Sequence, residues 1–463
     1  MKPSYSETNR ITPEERHPML VLDDLFISQE VIDYLEQSHE PVLDNATART
    51  LVSRGCRLTI APRAEHPTPE RVVALSELNL NDAKPYCYPE VRRAIDLCKD
   101  KASMRRALAP LYPTYEFREA TLDELQRIDP SALDLPLVLK PATGFFSLGI
   151  YPIFTADEWY AALADIERQA PSWARLYNES VVNDAKFILE SYLDGQEYAL
   201  EAYFDENGKA VVLDILKHDF AGTSDTSDRL YYTSKRIIEE QLEPMTRFLD
   251  DCNELLGFRN FPVHPEVRVQ ADGTITPIEF NPCRFAGLCG TDLAYFAWGF
   301  KTYAAFLENR RPDWGKILAD KDGLVYPMIL LTKSVARPCR FDYDALKRRF
   351  SHVLALRPTD VARYHSFGFL FLEVPEERWD EESSPSSPTI WRSTSPTSRV
   401  SEHVVLLRCG AVPPRSRALQ HPSRCRRRRT RVLPSPAHKK RPLTSSGLSH
   451  SAGFTPRYLA RTH

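Results

Sequence analysis

The chain has 463 residues, 42% of them apolar and 27% charged, which suits two or three modules with buried cores and excludes global disorder. No apolar run approaches the ~20 residues of a membrane span, and the polar stretch from Met1 to His17 has no signal-peptide core. The nine cysteines form no CxxC or CxxxC pair, which argues against a zinc module or a disulfide framework and for a reducing cytoplasm. The net charge of −3 hides a split: residues 383–463 carry 16 Lys and Arg against one Glu, leaving 44 against 62 in residues 1–382. A body of about −18 is joined to a tail of +15.

A polar arm spans residues 1–17. Met19–Leu22 is an apolar strand candidate, Ile27–Gln37 a helix, and Leu51–Val52 and Leu58–Ile60 further short strands, a small α/β module over residues 18–98. It has no GxGxxG, so no dinucleotide site is implied. Asp100 can cap a helix through Met104, Leu108 and Leu111. Leu135–Lys140 has the all-apolar look of a buried strand. Thr155 and Glu158 form a capping box that opens a helix to Ala170. Phe187–Glu190, Glu197–Phe204 and Ala210–Leu216 are strands, the last two joined by the turn Asp205–Gly208. Pro244–Leu256 is amphipathic and stops at Gly257. Pro262–Val269 and Thr276–Phe280 are strands around the turn Ala271–Gly273, and Leu324–Glu373 continues as strand, helix, strand within a segment over residues 311–382. Beyond Glu382 apolar periodicity vanishes. The last 81 residues hold 15 Ser and 10 Pro, the composition of a GC-rich gene read out of frame. The tail is therefore expected to be disordered, and loss of an in-frame helix there would leave the apolar surface of Phe369–Leu372 less covered. A basic-tailed nucleic-acid-binding protein is the reading from another class.

Four segments carry chemistry. In Pro277-Ile-Glu-Phe-Asn-Pro-Cys-Arg284, Glu279 and Asn281 share one face of a strand. The preceding turn can bring Glu266 alongside, and two carboxylates with an amide oxygen suit Mg²⁺. Lys140 ends a buried strand, a costly position unless it meets an anion, and Gly144, Ser147 and Gly149 after it let backbone N–H groups approach phosphates. Glu190 and Glu197 leave one strand and open the next, placed to grip the two ends of an adenosine. Lys101 follows the cap Asp100 at a helix start.

In this order and spacing the four segments resemble the ATP-grasp superfamily, and within it the carboxylate–amine ligases and L-amino acid ligases, over roughly Leu97 to Phe306. The resemblance implies an α/β (α+β) ATP-grasp fold with a small N-terminal α/β domain. A two-lobed catalytic domain over residues 99–310 would hold ATP between its lobes, followed by a C-terminal α/β segment over 311–382 and the tail 383–463. It implies ATP with Mg²⁺ or Mn²⁺ as cofactors. Lys101, Lys140 and Ser147 match phosphate contacts, Glu190 the residue facing the adenine amine, Leu193 its backbone contact and Glu197 the ribose binder. Glu266, Glu279 and Asn281 match the metal ligands. Arg284 looks like the arginine that stabilises an acyl phosphate or holds a substrate carboxylate, displaced by the inserted Cys283, with Arg268 the alternative. The irregular stretch from Lys217 to Thr233 offers His218, Arg229 and Tyr231 as substrate contacts. The implied reaction is amide or peptide bond formation through an acyl phosphate, releasing ADP and phosphate; the alternative is another acyl-phosphate reaction of carboxylase type. Small carboxylates and amines are the expected partners, with neither membrane nor nucleic acid, and a homodimer is left open.

Overall fold

The structure is a computed structural model describing residues 20–143, 149–177, 186–220, 229–332, 342–359 and 366–382, with side chains over 170–177 and at 332 left aside. The arm 1–17, Gly144, Ser147 and the tail 383–463 lie outside the described residues.

The first module is a parallel sheet of four two-residue strands, β1 (Leu20–Val21), β2 (Val42–Leu43), β3 (Ile60–Ala61) and β4 (Val73–Ala74), in the order β3-β2-β1-β4. Helix α1 (Gln29–Ser38) starts at Ser28, whose hydroxyl accepts from the Val31 amide, and buries Val31, Tyr34 and Leu35. Helix α2 (Ala46–Ser53) absorbs Leu51–Val52, expected as a strand. Asn45 caps it, and Ala48 and Leu51 on its inner face are buried at a spacing of three, the helical period rather than the strand one. Helices α3 (Pro89–Lys99) and α4 (Lys101–Leu108) follow. The Asp100 carboxylate starts α4 by accepting from the Ala102 and Ser103 amides.

The second module is an antiparallel sheet of β5 (Phe117–Thr121), β6 (Leu137–Pro141), β7 (Tyr151–Ile153) and β8 (Lys186–Ser191) in the order β5-β8-β6-β7. Between β7 and β8 runs α5 (Ala156–Tyr177), which opens on the Thr155–Glu158 capping box. It lays Trp159, Ala162, Leu163 and Ile166 on Leu137, Leu139, Phe187 and Leu189 of this sheet.

The third is a sheet of nine strands: β9 (Gln196–Phe204), β10 (Ala210–His218), β11 (Leu230–Ser234), β12 (Phe261–Val269), β13 (Ile275–Pro282), β14 (Leu324–Thr332), β15 (Val353–Pro358), β16 (Ser366–Leu372) and β17 (Val374–Pro375). The order is β13-β12-β9-β10-β11-β14-β16-β15, with β17 on β14. Residues 311–382 thus extend the sheet that 196–282 begins. Helix α6 (Lys235–Leu256) covers one face with Met245, Phe248, Leu249 and Cys252. It begins nine residues before Pro244, where the sequence placed its start. Ser234 caps it, and buried Ile237 and Ile238 on the first turns anchor a helix that tolerates the hydrogen bond Pro244 omits. Helix α7 (Leu293–Trp298) follows β13.

Phe369–Leu372 are buried. Phe26 and Phe296 pack on Phe369 and Phe371, and the Arg357 guanidinium lies 4.6 Å from the Phe371 ring centroid.

Candidate active site

Opposite α6, the nine-stranded sheet packs Tyr203 and Val211 against the first module and carries charged side chains beside them. Strand registers oppose Glu197 to His218 and Arg268, Glu266 to Glu279, and His264 to Asn281. Side chains two apart on one strand share a face, so β9, β10, β12 and β13 present one continuous field of charged groups.

At its outer edge Glu266 and Glu279 face each other across β12 and β13, and the Asn281 amide donates to Glu266 Oε1 at 3.1 Å. Lys101, from the first turn of α4, reaches Glu279 Oε2 at 2.8 Å. Burial alone would raise the Glu279 carboxyl and lower the Lys101 ammonium. Their pairing outweighs it and shifts both the other way, holding both charged. Two carboxylates and an amide oxygen form a hard, all-oxygen donor set that fits Mg²⁺ rather than zinc. Among the described residues no group of three or more His, Cys, Asp or Glu gathers as a metal centre.

Lys140, at the end of β6, is 3% exposed and pairs with Glu190 Oε1 on neighbouring β8. Arg105 of α4 donates through Nε to Glu190 Oε2 at 2.9 Å. Burial works against the Glu190 carboxylate, but Arg105 and Lys140 overcome it and hold its pKa at about 2. Burial, helped by repulsion from Arg105 and Lys101, pulls the Lys140 ammonium below the usual lysine range despite Glu190. Both Glu190 oxygens are thus engaged by cations. Arg105 escaped the sequence reading because nothing in Met104-Arg-Arg106 marks which arginine turns inward.

The third group is built on a forced turn. Gly195, between β8 and β9, has φ +113°, and a Cβ there would meet the Val269 carbonyl oxygen at 2.3 Å. Its carbonyl accepts from Arg268 Nη1 at 2.9 Å, and Arg268 Nη2 reaches Glu197 Oε2 at 2.7 Å. His218 Nδ1 lies 3.0 Å from the other Glu197 oxygen, with its ring between Phe220 and Tyr231 at 4.0 and 4.1 Å. Arg268, expected as the alternative carboxylate clamp, and His218, expected as a substrate contact, both meet Glu197, the expected ribose binder. Leu193 lies half-buried in the β8–β9 connection, and Arg229 is bonded through its carbonyl to Leu330 at the start of β11.

Arg284 lies beyond Asn281 in a loop where Cys283, Leu288 and Cys289 all adopt positive φ. It forks onto Glu77 of the first module at 3.0 and 3.1 Å, and Lys99 pairs with the same carboxylate. Burial would raise Glu77, but Arg284 and Lys99 carry it below the usual carboxylate range. The loop is pinned from behind by fully buried Glu201, which accepts from the Ala286 amide at 3.1 Å and lies 3.4 Å from His264 Nδ1. Glu77 gave no local signal. Glu201 and the equally buried Asp214 did, as single acids inside apolar strands.

Residues 133–292, which contain Lys140, Glu190, Glu197, Glu266, Glu279, Asn281 and Arg284 but not Lys101, Arg105 or Glu77, match the family model of the ATP-grasp domain. The chain carries an ATP-grasp domain. The matched stretch runs from just before β6 to just beyond β13. The chain's fold is similar to that of an L-amino acid ligase from Bacillus licheniformis, with a TM-score of 0.61 at 16% identity over 80% of this chain and 98% of that one. A carboxyaminoimidazole ribonucleotide synthase from Aspergillus clavatus complexed with ATP gives 0.55 at 14% identity over 81% and 98%. A biotin carboxylase from Campylobacter jejuni gives 0.52 at 11% over 78% and 88%. No curated protein sequence matches the chain. Among the described residues no helix is long and apolar enough to cross a membrane.

Proposed function

We propose that the protein is an ATP-dependent carboxylate–amine ligase that forms an amide or peptide bond through an acyl phosphate. The observation that carries this reading is the meeting of two lysines from separate elements, the largely buried Lys101 and the buried Lys140, with the paired carboxylates Glu279 and Glu190. Buried lysines next to a hard-cation donor set form a binding place for a polyphosphate and its metal. Glu266, Glu279 and Asn281 would hold Mg²⁺, which when bound neutralises phosphate charge.

Lys101 exchanges Glu279 for the nucleotide phosphates, and Lys140, kept in place by Glu190, turns its remaining ammonium protons to them. Glu197, held between Arg268 and His218, is oriented to accept from ribose hydroxyls, and the backbone at Leu193 lies on the adenine side. The substrate carboxylate attacks the γ-phosphorus, the bond to the β–γ bridging oxygen breaks, and ADP leaves. The amine then adds to the acyl carbon, and phosphate leaves as a proton is lost from nitrogen. These steps need positioning and charge neutralisation rather than a nucleophilic side chain. Arg284, steadied by Glu77, is the clamp for the substrate carboxylate or the acyl phosphate. Glu190 serves as the holder of Lys140, and the acceptor capacity left on its two oxygens keeps it open to the adenine amine. The test is a screen of amino acids and small carboxylic acids, singly and in pairs. ADP and phosphate release that requires an acid supports the reading; acid-independent hydrolysis with every compound removes it.

A further inference from the structure

Arg105 is a strong, buried cation of the site that the proposed chemistry leaves unused. It is 6% exposed, and each of its nitrogens is committed. Nε donates to Glu190 on β8, Nη1 to the Pro277 carbonyl, and Nη2 to the Ile278 carbonyl at 3.1 Å, both on β13. Its guanidinium carbon lies 4.6 Å from the centroid of the Tyr115 ring. One side chain from α4 therefore ties the strand that holds Lys140's partner to the strand that carries Glu279.

A simple clasp between two sheets does not need a buried charge. Burying a guanidinium is costly, and apolar groups of similar volume serve packing at least as well. The charge has a consequence at Glu190. With Lys140 and Glu190 alone, the pair would sum to zero and the ammonium would be neutralised before any nucleotide arrived. With Arg105 on the second oxygen, the trio carries one net positive charge, and Lys140 is the member placed beside Lys101 and Glu279.

We propose that Arg105 is a positioning residue that takes up Glu190's charge, so that Lys140 keeps an uncompensated positive charge for the nucleotide phosphates. This rests on the reading that ATP phosphates bind at Lys101 and Lys140. The depressed basicity of Lys140 agrees with it, since after burial the repulsion from Arg105 and Lys101 is what lowers it. An ammonium in that position gains from an incoming anion.

The experiment is calorimetric titration of the full chain with ATP and with adenosine, in the wild type, Arg105→Met, Arg105→Lys, and the double variant Arg105→Met/Glu190→Gln. Circular dichroism monitors folding. The Met variant is expected to lose roughly tenfold to a hundredfold in ATP affinity, with adenosine affinity changed less than about threefold, because only phosphates sense the missing charge. Arg105→Lys keeps the charge and is expected to lose roughly fivefold or less. The double variant restores one net positive charge on Lys140 and is expected to regain most of the ATP affinity. Equal losses for ATP and adenosine, or a double variant no better than the single one, overturn the proposal. If Arg105→Met does not fold, the Lys and double variants decide it. A wild type that binds no ATP refutes the reading of the site itself, before the role of Arg105 is reached.

Discussion

Replacing Glu279 by Gln should separate two roles of one carboxylate. At 2.8 Å from Lys101 Nζ, with side chains 21% and 12% exposed, the pair is mostly but not wholly withdrawn from water. At an effective dielectric of about 20 its gross attraction is roughly 6 kcal/mol, much of it spent on desolvation. Removing one partner of a fully buried pair costs about 3–5 kcal/mol. The residual exposure here brings the expected loss to about 2–3 kcal/mol, read by urea unfolding. Lys101→Met together with Glu279→Gln should destabilise less than the sum of the singles, by about 1 kcal/mol or more. Binding should show opposite signs. Without Glu279 the triphosphate loses a repelling neighbour and Lys101 is unpaired, so metal-free ATP should bind roughly tenfold tighter. Mg-ATP should bind more weakly, because a charged metal ligand is gone. Additive stability effects would refute the ion pair in solution. Equal weakening of ATP with and without Mg²⁺ would refute the dual role.

Lys140→Ala should keep the fold and reduce ADP production by about a thousandfold or more, through lost phosphate neutralisation; near-wild-type turnover would remove Lys140 from the site. Asp214 is a pH reporter. Burial pushes its carboxyl up to about 7, although Trp298, Thr233 and the Ile215 amide all donate to Oδ1 and favour the charged form. The folded state therefore keeps a proton that the unfolded chain releases near pH 4, and this contribution, about 4 kcal/mol, is lost as pH rises from about 4 to about 7. Asp214→Asn should flatten the fall in unfolding free energy between pH 5 and pH 7.5, and an unchanged slope would refute the assignment. Gly195→Ala should raise the KM for ATP several-fold by forcing the β8–β9 turn away from Val269 and displacing Arg268 and Glu197; an unchanged KM would show that the turn does not set the ribose site.

Local signals were legible in the sequence, and long-range ones were not. Asp100 and the Thr155–Glu158 pair mark helix starts because capping is chemistry within four residues. Glu279 and Asn281 could be placed on one face because the strand period is two, and the Ala271–Gly273 turn made Glu266 their neighbour. Leu51–Val52 misled because two apolar residues carry no period, and Pro244 misled because burial on both flanks outweighs one missing hydrogen bond. Arg105 and Glu77 act on partners 85 and 207 residues away, and nothing near them in the chain announces it. The engagement of both Glu190 oxygens became visible only once β6, β8 and α4 were assembled.

The central claim is that the enzyme activates a carboxylate as an acyl phosphate. Hydroxylamine trapping tests it most directly, with the Mg-ATP-supplied protein and each acid that stimulates turnover. The expected product is the acid's hydroxamate, formed in equal amount with ADP and inorganic phosphate. Hydroxamate accompanied by AMP and pyrophosphate, or acid-dependent turnover with no hydroxamate at saturating hydroxylamine, would contradict it.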